Sequence, residues 1–181
     1  MDTKRLVKTF IELVQIDSES GNEGKIHEYL KNKFMKLGLE IVEDNSKEDT
    51  GLGSNNLIVK LHGKDRNKLP LFFSCHTDTV SPGKGIEVIE ESGILSSKGE
   101  TILGADDKAG IAIIIEAIET IQELGITTGD LEFVFFSRRR NWINWCISLR
   151  YAADQRQKWI CFRQRRRGRS CDYSQSDIIY V

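Results

Sequence analysis

Several things are scarce in this 181-residue chain, and each scarcity narrows the field. No stretch approaches the roughly 18 consecutive apolar residues that a membrane-spanning helix needs. The opening Met1-Asp2-Thr3-Lys4-Arg5-Leu6 has no apolar core of a secretory leader. The expectation is therefore a soluble, cytoplasmic protein with no membrane partner. There are only four cysteines: Cys75 lies in an apolar run, and Cys146, Cys161 and Cys171 are scattered without metal-ligand spacing, so no disulfide framework is implied. There is no internal repeat. At 39% hydrophobic residues the chain can bury one ordinary core.

Acidic residues are missing from one region in particular. Eleven of the 26 basic residues, but only three of the 27 acidic ones, follow Phe136. The near-neutral total thus hides a first part of about −9 and a remainder of about +8, an asymmetry of the kind carried by nucleic-acid-binding or membrane-binding appendages.

What is present reads as alternating helices and strands. Leu6, Phe10, Leu13 and Val14 recur at helical spacing and predict an amphipathic helix over about residues 3 to 16. Ser20-Gly21-Asn22-Glu23 has the form of a capping box opening a second helix, whose face is Ile26, Tyr29, Leu30, Phe34 and Leu37 and which Gly38 can close. Strands are predicted over 39–42, 57–61, 71–75 and 131–136, with a hairpin at 86–95 and a long helix over 108–124 ended by Gly125. The apolar run from Leu71 to Cys75 is that of a strand covered on both faces. Such alternation gives an α/β architecture, with helices packed on a mixed sheet. His27 and His62 read as ordinary surface histidines.

Two motifs carry chemistry: Ser74-Cys75-His76-Thr77-Asp78-Thr79-Val80-Ser81-Pro82-Gly83 at a strand end, and Ile102-Leu103-Gly104-Ala105-Asp106-Asp107-Lys108-Ala109-Gly110 at a helix start. An imidazole is a good zinc ligand, and a carboxylate two residues on along extended chain lies on the same side, where it can orient the ring. His76 and Asp78 fit that pair. Asp106 and Asp107 stand before a helix, where amide dipoles favour negative charge and a carboxylate can bridge two cations. Taken singly, a His-x-Asp pair arises readily by chance, and Asp106-Asp107 is most economically a helix N-cap. Cys75 reads as a small buried strand residue pointing away from His76. The conjunction of the two motifs at strand-end and helix-start positions of one sheet favours a site.

The wording of these motifs, with Ile16-Asp17-Ser18 and Asn56-Leu57-Ile58, resembles the peptidase T-like (tripeptide aminopeptidase) family of co-catalytic zinc metallopeptidases, related to aminoacylase and glutamate carboxypeptidase. The resemblance spans residues 1 to about 136 and implies the N-terminal part of a catalytic domain. It implies that His76 ligates one of two zinc ions, that Asp78 orients it as a catalytic residue, and that Asp106 bridges both metals and has a strained peptide link to Asp107, which is not itself a ligand. A metal-activated water would then cleave the N-terminal residue from short peptides. The family also needs a glutamate base, an adjacent glutamate ligand, a later acidic ligand, a distal histidine and a lid or dimerisation domain. None is found in this sequence.

The family's acidic pair follows the strand that matches Leu131 to Phe136, where this chain instead has Arg138-Arg139-Arg140-Asn141-Trp142. Displacing the reading frame by one base connects the two. Trp142 before Ile143 must become glycine, and so must Trp145 before Cys146. Arg138 to Arg140, with adenine-rich codons, become glutamates. One permitted displaced reading from Ser137 is Ala-Glu-Glu-Glu-Ile-Gly-Leu-Ile-Gly-Ala. Further on, Trp159 to Gln164 permits Gly-Tyr-Ala-Phe-Asp. The expectation is a frameshift near Phe136 and Ser137, with a basic tail over 137–181 that is out of frame, lacks a stable fold and leaves the chain inactive. The competing readings are a nucleic-acid-binding tail built on its arginines and tryptophans, disfavoured by the lack of any RNA-binding signature, and another member of the clan such as an aminoacylase or dipeptidase.

Overall fold

The structure, a computed structural model, describes residues 1–138, 158–161 and 178–180. Helix α1 (Thr3–Val14) starts at Asp2, whose carboxylate accepts from the amides of Lys4 and Arg5, satisfying two of the orphan donors of a first turn. Helix α2 (Gly24–Lys36) ends in the Leu37-Gly38 turn, where Gly38 takes the left-handed conformation at φ 72°. Strand β1 (Glu40–Glu43), a short helix α3 (Ser46–Thr50) and strand β2 (Leu57–Leu61) follow. Strand β3 (Leu71–His76) leads to a hairpin of β4 (Val88–Glu91) and β5 (Ile94–Ser97). The hairpin turns at Ser92-Gly93, both with positive φ, as a tight two-residue connection requires. Helix α4 (Ala105–Glu123) then returns the chain to β6 (Leu131–Phe136).

The main sheet has the order β1-β2-β6-β3-β7-β8, where β7 is Lys158–Cys161 and β8 is Ile178–Tyr180. Strands β1, β2 and β6 pair antiparallel, whereas β6, β3, β7 and β8 pair parallel, so the sheet is mixed, as expected. The parallel pair β3/β6 has α4 as its crossover, the usual way to join parallel neighbours.

Side-chain alternation sorts the strands into two faces. Leu57 and Val59 of β2, Cys75 of β3, and Leu131, Phe133 and Phe135 of β6 join Leu13, Ile26, Leu30, Phe34 and the isoleucines of α4 in the principal core, each set spaced by two along its strand. Phe34 stacks on Phe135 with ring centroids 5.2 Å apart. The opposite face buries Phe72, Val134 and Phe136, with Ile58 packed against them, so β3 and β6 are buried on both faces as their near-continuous apolar runs predict. Beneath the helices, the Arg5 guanidinium binds Glu116, Glu119 and Glu123 of α4, tying the first helix to the fourth.

Three expectations need revision or restriction. The capping box at Ser20 does not form: α2 starts with no side-chain cap, Ser20 is engaged elsewhere, and the buried Glu23 carboxylate instead accepts from the amides of Gly21 and Gly53. His27 is not a surface residue: it is 1% exposed because it lies on the sheet-facing side of α2, one position after Ile26. His62 is exposed, as expected. The expectation that the basic tail lacks a stable fold falls mostly on residues outside those described. Within the tail the structure describes β7, in register with β3 from Leu71↔Lys158 to Ser74↔Cys161, and β8 beside it.

Candidate functional site

Because β3 and β6 run parallel with His76 opposite Phe136, their C-terminal ends emerge side by side at one edge of the sheet, next to the start of α4. Strand ends of this kind are where α/β folds place their sites. Residues 77–83 and 98–104 pack against each other here: the amide of Ile102 donates to the Pro82 carbonyl at 2.8 Å. A Cβ on Gly104 would come within 2.9 Å of Thr79 Cγ2. Gly104 also has φ 72°, so both the contact and the backbone conformation require glycine.

This packing brings together all three residues singled out in the sequence. His76 Nε2 lies 3.0 Å from Asp106 Oδ1, while His76 Nδ1 faces Asp78, 3.0 Å from its carbonyl oxygen and 3.2 Å from Oδ1. Asp78 is buried and Asp106 is largely exposed. The ring is thus held from behind by one aspartate and presents its other nitrogen to the second. Burial opposes a charge on His76, but the hydrogen bond to Asp78 and the charges of Asp107 and Asp78 outweigh it and raise its pKa.

The Asp106-Asp107 peptide is cis, and the two residues keep non-helical backbone angles before the regular helix begins. Asp107 turns away from its neighbour. Its carboxyl is pushed up to about 6 by burial, against the opposing influence of His76 and a hydrogen bond with Cys75. A Cβ on Gly110 would fall 2.4 Å from Asp107 Oδ1 and 3.0 Å from Cys75 Sγ, so the glycine makes room for this inward carboxyl. Cys75 is buried in the principal core, as expected of a small strand residue, and there it meets the Asp107 carboxyl.

Four further contacts were not legible in the sequence. The Ser20 hydroxyl donates to Asp78 Oδ2 at 2.5 Å. His27 Nε2 is 2.9 Å from Thr77 Oγ1, which donates to the Phe136 carbonyl at 3.0 Å. Since Thr77 spends its proton there, His27 must donate from Nε2, which leaves the buried Nδ1 as an acceptor without a partner. Asn56 Oδ1 accepts from the Ser137 amide at 3.1 Å, fixing the chain just beyond β6. Lys108 is wholly buried, donates to the Ile16 carbonyl at 2.8 Å, and is pulled down to about 8 by burial. Every one of these partners is distant in sequence, so no local pattern announces them.

As a metal centre the arrangement is one-sided. His76 Nε2 and the Asp106 carboxylate are suitable zinc donors brought to one point, with the second imidazole nitrogen oriented by a carboxylate as metal-binding histidines usually are. Among the described residues, however, no group of three or more His, Cys, Asp or Glu residues could hold a metal ion. The donors present fit part of a zinc site. Ser137 and Arg138, at the end of the neighbouring strand, bring no acidic group. Nor is any helix among the described residues long and apolar enough to cross a membrane.

Comparison with known proteins gives the same class. The family model described as Peptidase family M28 matches residues 56–138. Bacillus subtilis YqjE is 45% identical over 134 residues, covering 74% of this chain and 36% of that protein. Among solved structures, the aminopeptidase PepT from Bacillus cereus superposes with a TM-score of 0.84 at 36% identity, covering 91% of this chain and 44% of PepT. A Staphylococcus aureus tripeptidase superposes with a TM-score of 0.81 at 36% identity, covering 90% of this chain and 43% of the other. The chain therefore spans between about a third and under half of the length of these relatives. In sequence and fold the chain resembles these peptidases over the part of them that it spans. Its motifs resemble those of the peptidase T-like branch.

Proposed function

We propose that the acid-bearing part of this chain, residues 1–136, is the N-terminal portion of the catalytic domain of a cytoplasmic zinc aminopeptidase that removes the N-terminal residue of tripeptides and similar short peptides. The observation that carries this reading is the convergence of His76 Nε2 and Asp106 Oδ1 at 3.0 Å, from two different elements, with Asp78 behind the ring. In this reading His76 and Asp106 would hold zinc, and Asp78 would orient the imidazole from behind. Zinc bound there would polarise the scissile carbonyl and make water a nucleophile near neutral pH. Asp107, turned inward and held by Cys75, supports Asp106 and stays out of the ligand set.

Residues 137–181 are, in the same proposal, read out of frame, and the displaced reading supplies the acidic pair directly after β6. The 134-residue extent of the likeness to YqjE supports this, being close to the 136 residues that precede the change in composition. With its described donors limited to one side of the metal pair, the present chain binds zinc poorly and is inactive. The completed protein would supply the missing ligands and any dimerisation domain. Short peptides, and no nucleic acid, are the partners. The test is the nucleotide sequence across codons 130 to 181, read in all three frames. The proposal requires paired glutamates directly after the codon for Phe136 in a frame displaced by one base. An unbroken alternative without them, or turnover of a tripeptide by the purified, zinc-loaded chain, overturns it.

A further inference from the structure

A second concave region lies at the other end of the same strands. A cavity of about 170 Å³ opens where β2 ends and where β3 and β6 begin. It stands roughly 17 Å along β3 from His76. Part of its lining is apolar: Leu131, 6% exposed, and the half-buried Leu61 and Leu71. The rest is charged, because the antiparallel register of β2 and β6 sets Lys60 opposite Glu132, and one step beyond the pair Leu61↔Leu131 it brings His62 beside Asp130. Asp130 and Glu132, two apart on extended chain, lie on one side.

These charges are gathered without being closed on one another. Glu132 Oε2 is 3.8 Å from Lys60 Nζ, Asp130 Oδ2 is 3.9 Å from Arg66 Nη1, and Asp130 Oδ1 is 4.0 Å from His62 Nδ1, all beyond hydrogen-bond reach. Two contacts are closer: the Gly63 amide donates to Asp130 Oδ1 at 2.8 Å, and His62 Nε2 meets Glu40 Oε2 at 2.8 Å. The Glu132 side chain is 20% exposed, and burial raises its pKa against the opposing charge of Lys60. Beside the leucines stand a carboxylate short of donors and an ammonium short of acceptors.

We propose that this cavity binds a free aliphatic α-amino acid, with its ammonium on Glu132 and Asp130 Oδ2, its carboxylate on Lys60 Nζ and its side chain against Leu61, Leu71 and Leu131. A zwitterion set on a loose ion pair closes a ring of four alternating charges, so that no charge is taken from water without a partner. The volume suits a molecule of that size, being well below the roughly 300–1,000 Å³ of sites for drug-sized ligands. Glu40, Asp130 and Glu132 together outnumber Lys60 and Arg66 here, so an acid without an amine is disfavoured. An amino acid is what an aminopeptidase releases, but the assignment does not depend on the metal reading, since occupancy is measured without turnover.

The experiment titrates the isotope-labelled full chain with unlabelled L-leucine and follows the methyl NMR signals of Leu61, Leu71 and Leu131. Two analogues run beside it: isoamylamine, which lacks the carboxylate, and isocaproate, which lacks the ammonium. Leucine should shift these signals with half-saturation at about 5 mM. Each analogue should bind about tenfold more weakly, having lost one charge-assisted contact. Glu132→Gln and Lys60→Met, both at partly exposed strand positions, should each weaken leucine binding by about the same factor. Glu90→Gln, on the exposed hairpin, should leave it unchanged. The absence of any shift up to about 50 mM leucine, an analogue that binds as tightly as leucine, or a Glu132 or Lys60 variant that binds like the parent overturns the proposal. Should a variant fail to fold, the ranking of the three ligands on the parent chain decides the matter alone. Leucine binding with this ranking, in a protein whose frame-restored form hydrolyses no peptide, upholds the cavity and counts only against the peptidase reading.

Discussion

Strands β3 and β6 are parallel neighbours, buried on both faces and ending at the same edge, yet among the described residues only one of them carries candidate metal donors. β3 ends on His76, which faces Asp106, and two residues further on stands Asp78, bonded by Ser20. Beyond β6 come Ser137 and Arg138, although the backbone there is held just as deliberately, by Asn56 on the Ser137 amide and by Thr77 on the Phe136 carbonyl. Two neighbouring strand ends can therefore be built and anchored alike while, among the described residues, only one of them carries candidate donor atoms. Packing of the strand interior and the identity of the residues just past its end are separate properties of the sequence.

The strongest way to break the contrast is to supply the missing side. A protein translated with the frame restored after Phe136 should release an N-terminal residue from a tripeptide in the presence of zinc, whereas the present chain should show no turnover above the metal alone, a difference of several orders of magnitude in rate; amine release in a discontinuous assay measures both. The anchoring of β6 can be challenged next. Phe135→Ala removes a fully buried ring stacked on Phe34 and should cost about 3–5 kcal/mol in urea unfolding. Ile94→Ala, on the exposed hairpin strand, should stay within about 0.5 kcal/mol.

On the β3 side, Gly110→Ala places a methyl 2.4 Å from Asp107 Oδ1 and 3.0 Å from Cys75 Sγ. It should cost about 1–3 kcal/mol in the same measurement, since the helix backbone or the carboxyl must move. The link between the two strand ends is testable by pH. His27 has its pKa lowered to about 4 from the ordinary 6.5, first by burial and then by Lys31. The unfolded chain therefore binds the proton first as pH falls, and stability drops between about pH 6.5 and 4. His27→Gln should remove this component, worth about 1.4 kcal/mol per unit of pKa separation. The difference in melting temperature between parent and variant across that window isolates it from the opposing contribution of Asp107, whose raised pKa favours the folded state as pH falls.

Much of this was legible along the chain. The spacing of Leu6, Phe10 and Leu13, the isoleucine face of α4 and the apolar runs of β3 and β6 are local periodicities, and they gave elements within a few residues of their observed bounds. His76, Asp78 and Asp106 were legible because their motifs are short and contiguous. The roles of Ser20, Glu23 and His27 were not. The Ser20 to Glu23 spacing satisfies a local capping pattern, but a partner 58 positions away claims the hydroxyl and two loop amides claim the carboxylate. His27 looks like any histidine on a lysine-rich helix until the helix is docked on the sheet.

By itself, the sequence determined the alternation of helices and strands, the two acidic motifs, the peptidase T-like character and the break in composition after Phe136, because each is carried by residues close together in the chain. Only the tertiary structure decided that the ends of β3 and β6 lie side by side, that Asp78 is shared between a serine and an imidazole, and that a buried histidine joins α2 to both strand ends. Those contacts bridge long separations in sequence, and they exist only once burial of the apolar faces has fixed the register of the sheet.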